Sequence, residues 1–272
     1  MSTKRRFANL VERGTLAKLL IATNVLVAKW QLHINMGAGS SQQADAQHQS
    51  DLSQNHENHH NTKTAGITTS SRSNNLPHNF EIILKDADSA IDTSSTEQLY
   101  AGVFLNKKRK KYWVDKASHG NCFLVYARDL LITWGEDTRY WHWPYIKEAS
   151  EEVVDVAEIL NVCWLEINGK FEISKLTPGI MYEVVFVVML KDPAYGWEVP
   201  INVRLTLPDG NKQERKENMM AKPRSKWVEI PAGEFMVEPR KEGFVEFSLY
   251  EYEGGAWKKG LLVKGAAIRP KQ

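Results

Sequence analysis

The chain has 272 residues and a net charge of +2, because 35 Lys and Arg oppose 33 Asp and Glu. This balance excludes a strongly basic nucleic-acid coat and a wholly acidic protein, although it allows a local basic patch. Two cysteines, Cys122 and Cys163, are too few for a disulfide-stapled scaffold or a cysteine-based zinc finger. The sequence has no run of about 18 apolar residues, so an ordinary membrane-spanning helix is not expected.

The N-terminal segment, residues 1–36, is predicted to form a basic amphipathic helix. Over residues 4–34, apolar side chains recur every three or four positions and would share one face. Three interpretations stay open: a secretory signal, a helix that contacts a membrane or a partner, and a helix that packs on the protein or frays. Lys18 and Asn24 interrupt the apolar stretch, which disfavours the secretory signal.

Residues 37–78 are predicted to be a linker. The stretch 37–75 is rich in Gln, Ser, Asn, Thr and His, and it has too little apolar surface to offset the cost of ordering. His56, His59 and His60 lie in this stretch. Because a metal site needs a fixed geometry that a linker does not provide, no metal site is predicted.

Short helical segments and a basic run open the folded region, which is predicted to span residues 79–272. Residues 81–87 are a helix candidate, and residues 95–98 have the spacing of a capping box that starts another turn. Residues 107–111 are five basic residues in succession. The run is interpreted as a nuclear import signal or an anion-binding patch, or as a solvated loop.

The remainder of the chain is predicted to be an all-β domain with a sandwich core over about 122–270. Asn168-Gly169 is a strong hairpin signal, and Cys163 falls in a predicted strand, where it is expected to be buried. Seven or eight short strands without a long helical period indicate an antiparallel β-sandwich. The predicted strands are residues 122–133, 162–167, 182–190, 199–207, 227–230, 245–249 and 261–268.

Catalytic motifs are not found in the sequence. It lacks a phosphate loop, a dinucleotide glycine motif, a nucleophile elbow and a zinc-protease helix. His119 and His142 have no partner at a spacing that indicates a triad. The chain is therefore predicted not to be an enzyme, and neither a catalytic residue nor a cofactor is expected. A glycoside hydrolase, which needs only a pair of carboxylates, is the catalytic alternative.

Residues 134–145 (WGEDTRYWHWPY) concentrate five aromatic side chains in twelve positions. Residues 135–138 are predicted to turn, so that Trp134 ends a strand and Trp141 lies beyond a loop. Aromatic residues on loops form binding platforms or anchor the loop. Two interpretations follow: a platform on which the apolar face of a sugar ring stacks, or a cap on the end of the sandwich core.

Five stretches in the all-β region follow one another in a distinctive order: RDLLITWGEDTRYWHW, VAEILNVCWLEINGKFEI, LTPGIMYEVVFVVML, DPAYGW and WKKGLLVKGAAIRPK. Together they resemble the phloem protein 2 lectins of plants, the family that includes the tobacco agglutinin Nictaba, over residues 122–270. The upstream stretches LKDAD and GVFLNKKRKKYWVD resemble the long, phloem-type members, and they extend the similarity back to about residue 79.

The resemblance implies a carbohydrate-binding protein without catalysis, built on a jelly-roll-like β-sandwich. Its expected ligands are oligomers of N-acetylglucosamine and the N-glycan cores of glycoproteins. It assigns sugar binding to Trp134, Trp141 and Glu234, and Tyr140 and Trp143 flank the motif as further candidates. A second glutamate of the family is not reproduced, because Lys241 stands at its position.

The resemblance also implies partners and a location. A homodimer is expected, in the cytoplasm of phloem companion cells and sieve elements, with the nucleus as an alternative. An interaction protein that binds RNA or a phloem protein through the basic segments is the alternative function. Phloem-type relatives cross-link under oxidation, so an exposed Cys122 is the alternative to two buried thiols.

Overall fold

The computed structural model of the chain describes residues 76–90, 97–148 and 152–272. Two short helices, α1 (Phe80–Leu84) and α2 (Glu97–Ala101), precede the strands. Single turns of 3-10 helix lie at Ala127–Asp129, Ile173–Lys175 and Met219–Ala221. The strands within these residues are β1 (Val103–Leu105), β2 (Lys110–Val114), β3 (Asn121–Tyr126), β4 (Leu131–Ile132), β5 (Trp141–His142), β6 (Tyr145–Lys147), β7 (Val153–Asp155), β8 (Ala157–Ile159), β9 (Leu165–Glu172), β10 (Met181–Tyr195), β11 (Ile201–Thr206), β12 (Lys212–Glu217), β13 (Trp227–Met236), β14 (Phe244–Glu251) and β15 (Lys259–Pro270).

The strands form two large antiparallel sheets and one small one. The first sheet has the order β1-β2-β3-β15-β10-β13, with β8 paired to β15 and β5 paired to β8. The second sheet has the order β12-β11-β14-β9-β4, and β6 pairs with β7 alone. The predicted all-β sandwich is therefore confirmed for the part of the chain that the structure describes.

The core lies between the two large sheets, where apolar side chains alternate with outward polar ones. Phe186 of β10 meets Phe247 of β14 edge to face, with ring centroids 5.7 Å apart. Phe123 of β3 meets Phe171 of β9 at 4.6 Å. All four rings are buried, and each contributes about 1.5–3 kcal/mol through the area it removes from water.

The predicted hairpin at Asn168-Gly169 is wrong, because β9 continues through both residues. Gly169 pairs with Phe247 across β9 and β14. A Cβ atom on Gly169 would come within 2.2 Å of the Phe247 ring. Glycine is therefore required here by the close approach of an aromatic ring to the backbone and not by a turn.

The predicted strand 122–133 is divided between the two sheets. β3 ends at Tyr126 in the first sheet, one turn of 3-10 helix follows, and β4 pairs with β9 in the second sheet. The chain thus crosses from one sheet to the other at this edge of the sandwich. This crossing places residue 134 at the end of the second sheet.

One of the two thiols, Cys163, differs from expectation, and neither is in a disulfide bond. Cys122 is buried in β3, and burial raises the pKa of its thiol to about 12. Cys163 is only half-buried and precedes β9, so it does not lie in a strand. The structure therefore offers Cys163, and not Cys122, to solvent.

The turn between β14 and β15 is fixed by a buried ion pair. The carboxylate of Glu251 pairs with the ammonium of Lys258, and both side chains are almost completely buried. Glu251 also accepts a hydrogen bond from the Gly254 backbone N–H at 2.7 Å. Lys258 donates to the Ala256 carbonyl at 3.0 Å. These bonds hold the side chains at the two ends of the turn, residues 251 and 258, against the backbone of residues 254 and 256 within it.

Several predictions fall on segments outside the described residues. The helix over 4–34, the linker over 37–75 and the capping residues Ser95 and Thr96 belong to this group. The two short helices that follow agree in position with the predicted helical turns near residues 81–87 and 98–101.

Candidate functional site

The loop between β4 and β5 carries the aromatic cluster at one end of the second sheet. Trp134 has a φ of 57°, in the left-handed region that a bulky side chain seldom adopts. Two backbone hydrogen bonds hold it there, from Gly135 N to Ile132 O at 3.0 Å and from Asp137 N to Trp134 O at 2.9 Å. Because strained backbone is concentrated at functional sites, Trp134 is the first residue to consider as a ligand contact.

Trp134 packs against Tyr140, and both side chains are half-buried against the edge of the core. Their ring centroids are 5.2 Å apart, with 34° between the planes. The guanidinium of Arg139 lies 5.3 Å from the Tyr140 centroid. Arg139 donates to the Asp137 carboxylate at 2.6 Å, and this bond lowers the pKa of that carboxyl. The loop therefore presents an apolar surface bordered by a carboxylate and a cation.

Trp141 and Trp143 hold the loop in place by hydrogen bonds from their indole nitrogens. Trp141 is 1% exposed, and its Nε1 donates to the Thr133 carbonyl at 3.1 Å. Trp143 is half-buried, and its Nε1 donates to the Gly135 carbonyl at 2.8 Å. Trp141 therefore has no exposed ring face on which a ligand could stack, and its contacts are those of a residue that positions its neighbours.

Arg128 joins this loop to the small sheet. Its guanidinium lies 3.7 Å from the centroid of the Trp143 ring, a cation–π arrangement. Its Nε donates to Asp155 at 2.9 Å, and its Nη1 lies 3.6 Å from the Glu136 carboxylate. One side of the aromatic loop is thus fixed by a charged cluster at the surface.

Glu166 lies beneath the other side of the loop, and it is a residue that the sequence motifs did not identify. Its Oε2 accepts hydrogen bonds from Thr133 Oγ1 at 3.2 Å and from Trp164 Nε1 at 3.1 Å. Leu165 and Ile167 are buried in the core, so alternation along β9 turns Glu166 to the outer face. This alternation is the sequence signal by which Glu166 could have been found.

Glu234 is not brought together with Trp134. It lies in β13, where its carboxylate pairs with Lys271 at 2.6 Å and its backbone N–H donates to Gln213 of β12 at 3.0 Å. β12 and β4 are the opposite edges of the second sheet, four strand spacings apart, which is about 19 Å. Glu234 instead lines a separate surface cleft of about 600 Å³ with Gln213 and Pro231.

The basic run at residues 107–111 forms the turn between β1 and β2 and the start of β2. Lys108 pairs with Glu152, and Lys110 lies 2.5 Å from the Asp129 carboxylate. Part of the cationic charge is therefore matched by acidic neighbours. The arrangement lends no support to a continuous basic surface for RNA.

Within residues 76–90, 97–148 and 152–272, no group of three or more His, Cys, Asp or Glu side chains is placed to hold a metal ion. The helices described in the same ranges are all too short or too polar to cross a membrane. Neither observation assigns a further role to the aromatic loop.

Comparison with known proteins identifies the family. The phloem protein 2 family profile matches residues 120–270. Protein PHLOEM PROTEIN 2-LIKE A1 of Arabidopsis thaliana is 52% identical over 202 residues, which cover 72% of this chain and 82% of that protein. A protein of Luffa acutangula named Lectin is 46% identical over 203 residues, which cover 72% of this chain and 95% of that protein.

A solved structure of the CBM22-1 and GH10 modules of Clostridium thermocellum xylanase 10B, complexed with xylohexaose, aligns at 11% identity. The alignment covers 54% of this chain and 27% of that chain, with a TM-score of 0.31. A likeness this slight carries no argument about ligand or fold.

The matched region includes the whole second sheet, the first sheet from β3 onward and the loop with Trp134. The sequence motifs, the family profile and two relatives that align along most of their own length agree. The chain belongs to the phloem protein 2 family.

Proposed function

We propose that this chain is a lectin that binds oligomers of N-acetylglucosamine and N-glycan cores without catalysing a reaction. The observation that carries the proposal is Trp134, held in a left-handed backbone conformation at the start of the loop, with its ring against Tyr140. A sugar ring has an apolar face that stacks on such a surface, and its hydroxyls bond to neighbouring polar groups. The relative named Lectin supports the carbohydrate-binding part of the proposal.

The five candidate residues take different roles in this proposal. Trp134 and Tyr140 contact the sugar. Trp141 and Trp143 act as positioning residues, because their indole nitrogens hold the carbonyls of the loop. Glu234 belongs to another part of the surface, so it contributes no contact to a sugar at Trp134.

A shallow platform of this kind is expected to bind weakly. One stacking contact contributes about 0.5–1.5 kcal/mol beyond area burial, and association has entropic costs to offset, so affinity in about the micromolar range follows. We include a homodimer in the proposal, since two sites on one glycan surface gain avidity. The proposed location is the cytoplasm of phloem companion cells and sieve elements, with the nucleus as an alternative.

The test is calorimetric titration of the full chain with chitotriose, alongside Trp134→Ala and Glu234→Gln. We expect about micromolar binding by the unaltered chain, at least a tenfold loss for Trp134→Ala, and no loss for Glu234→Gln. Circular dichroism of each variant controls for folding.

Two outcomes would contradict the proposal. Failure of the unaltered chain to bind chitotriose and free N-glycan cores would refute the assignment of these ligands. Release of shorter sugars from chitin oligomers during incubation with the chain, measured by mass spectrometry, would refute the non-catalytic part and favour the glycoside hydrolase.

A further inference from the structure

The outer face of the second sheet carries aromatic rings where a solvent-facing sheet usually carries polar side chains. Leu249 of β14 points into the core, so Tyr250 points outward, and Tyr252 follows it on the same side. Trp164, which precedes β9, shares the outward side with Glu166. We refer to Trp164, Tyr252 and Tyr250 as the aromatic row.

The aromatic row is continuous. Trp164 and Tyr252 stack with ring centroids 4.3 Å apart and 14° between their planes. Tyr252 and Tyr250 stack at 5.5 Å and 25°. All three side chains are half-buried, so the row keeps apolar surface in contact with solvent. Such a patch with polar borders is typical of a binding surface.

Polar groups border the aromatic row at both ends. At one end the Arg204 guanidinium lies 4.9 Å from the Tyr250 centroid and donates to its hydroxyl at 2.7 Å. Arg204 is itself paired with Glu214 of the neighbouring strand. At the other end the Glu166 carboxylate accepts from Trp164. Arg204 is partly exposed and is the group placed to bond a sugar hydroxyl, whereas Glu166 is only 8% exposed and its Oε2 holds Trp164 and Thr133 in place.

The aromatic row adjoins the loop of the proposed sugar site. The same oxygen of Glu166 that accepts from Trp164 also accepts from Thr133 Oγ1, and Thr133 directly precedes Trp134. From β4 to β11, the strand of Arg204, the second sheet spans three strand spacings, about 14 Å. The loop and the row therefore form one surface that is longer than a single sugar ring.

We propose that the aromatic row extends the sugar site at Trp134, so that the chain binds a linear oligosaccharide laid across the outer face of the second sheet. This inference rests on the proposed function and adds to it the length of the ligand and three contact residues. The aromatic row is rigid before binding, because each ring is held by its neighbour and Tyr252 lies in the turn fixed by the buried pair of Glu251 and Lys258. Little ordering cost is then left for the ligand to offset.

The test compares chitin oligomers from the disaccharide to the hexasaccharide by calorimetric titration of the full chain. We expect affinity to rise with each added sugar until the row is covered. Tyr250→Ala and Trp164→Ala should each weaken binding of the hexasaccharide by about 2- to 10-fold and leave the disaccharide nearly unaffected. Tyr195→Ala is the matched control, because Tyr195 is 48% exposed but lies in the first sheet.

The outcomes separate this inference from the proposed function. One result would refute the extension alone: Trp134→Ala abolishes binding, but the affinity does not change with oligomer length or with either substitution in the aromatic row. Absence of binding to every oligomer by the unaltered chain would refute both. If Trp164→Ala does not fold, Tyr250→Ala and Arg204→Gln still decide the outcome, since both side chains stand on the outer face of the sheet.

Discussion

Alanine substitution at Trp134 and at Trp141 is expected to separate binding from folding in the aromatic loop. Trp141 is buried and its indole nitrogen is hydrogen-bonded, so removal of its ring leaves a cavity and an unpaired carbonyl. Core truncations of this kind reduce the free energy of unfolding by about 3–5 kcal/mol. That is a large fraction of the total stability of about 5–15 kcal/mol that is usual for a domain. Trp134 is only half-buried, so its removal is expected to reduce the free energy of unfolding by less, about 1 kcal/mol.

The assay measures two quantities on each variant: the free energy of unfolding from urea denaturation, and the affinity for chitotriose from calorimetric titration. We expect Trp134→Ala to lose at least tenfold in affinity, about 1.4 kcal/mol, while its unfolding transition stays close to that of the unaltered chain. Trp141→Ala should show the large loss of stability. Trp141→Phe, which keeps most of the ring volume, should recover much of it.

The reasoning would be refuted by either of two results. One is a Trp141→Ala variant that keeps its free energy of unfolding and yet loses chitotriose binding, since the buried indole would then act on the ligand and not on the fold. The other is a Trp134→Ala variant that binds chitotriose as tightly as the unaltered chain, since the loop would then not be the platform.

Three further predictions concern buried groups. Lys258→Met leaves the Glu251 carboxylate buried without its partner and should reduce the free energy of unfolding by about 3–5 kcal/mol. The double variant Lys258→Met with Glu251→Gln should lose less stability than the sum of the two single losses, as measured by urea denaturation. Additive losses would contradict the pairing. Burial raises the pKa of Tyr182 to about 12, so this tyrosine ionises in the unfolded chain before it does in the folded chain, and the stability of the fold should fall as the pH rises from about 10 to 12. Thermal melts of Tyr182→Phe should show a shallower fall in melting temperature over this pH range. A fall as steep as that of the unaltered chain would argue against a contribution from Tyr182. A thiol reagent should modify Cys163 in the folded chain and Cys122 only after unfolding, as mass spectrometry of the labelled peptides would show, whereas equal rates would contradict the burial of Cys122.

The strands were predictable from the sequence where apolar and polar residues alternate clearly, or where the sequence closely resembles that of the family. The long alternating segments, such as β11 and β14, appear where the pattern places them. The Asn168-Gly169 dipeptide led to the wrong prediction of a hairpin, because the close packing of the Phe247 ring requires glycine at position 169 just as a turn would. The very short strands, such as β4 and β5, have two residues each and are too short for any periodic signal.

The candidate site was predictable only in part. The aromatic loop and the end of the strand before Trp134 follow from the local sequence. Which tryptophan faces the core does not, because that depends on the hydrogen bond from Trp141 to Thr133 and on the sheet that covers it. Glu234 was assigned from a short motif. Its separation from Trp134 follows from the contact of β13 with β12 and from the strand order of the second sheet, neither of which the sequence alone provided.

The two sides of the binding surface should respond differently to ionic strength. The Arg128 cluster with Asp155 and Glu136 is partly exposed, so mobile ions screen it, and added salt is expected to loosen that side of the aromatic loop. The pair of Glu251 and Lys258 is enclosed, and counterions do not reach it. The turn that carries Tyr252 is therefore expected to keep its shape at high salt concentration, and the half of the proposed surface that would hold the far end of a glycan is the half that should be insensitive to ionic strength.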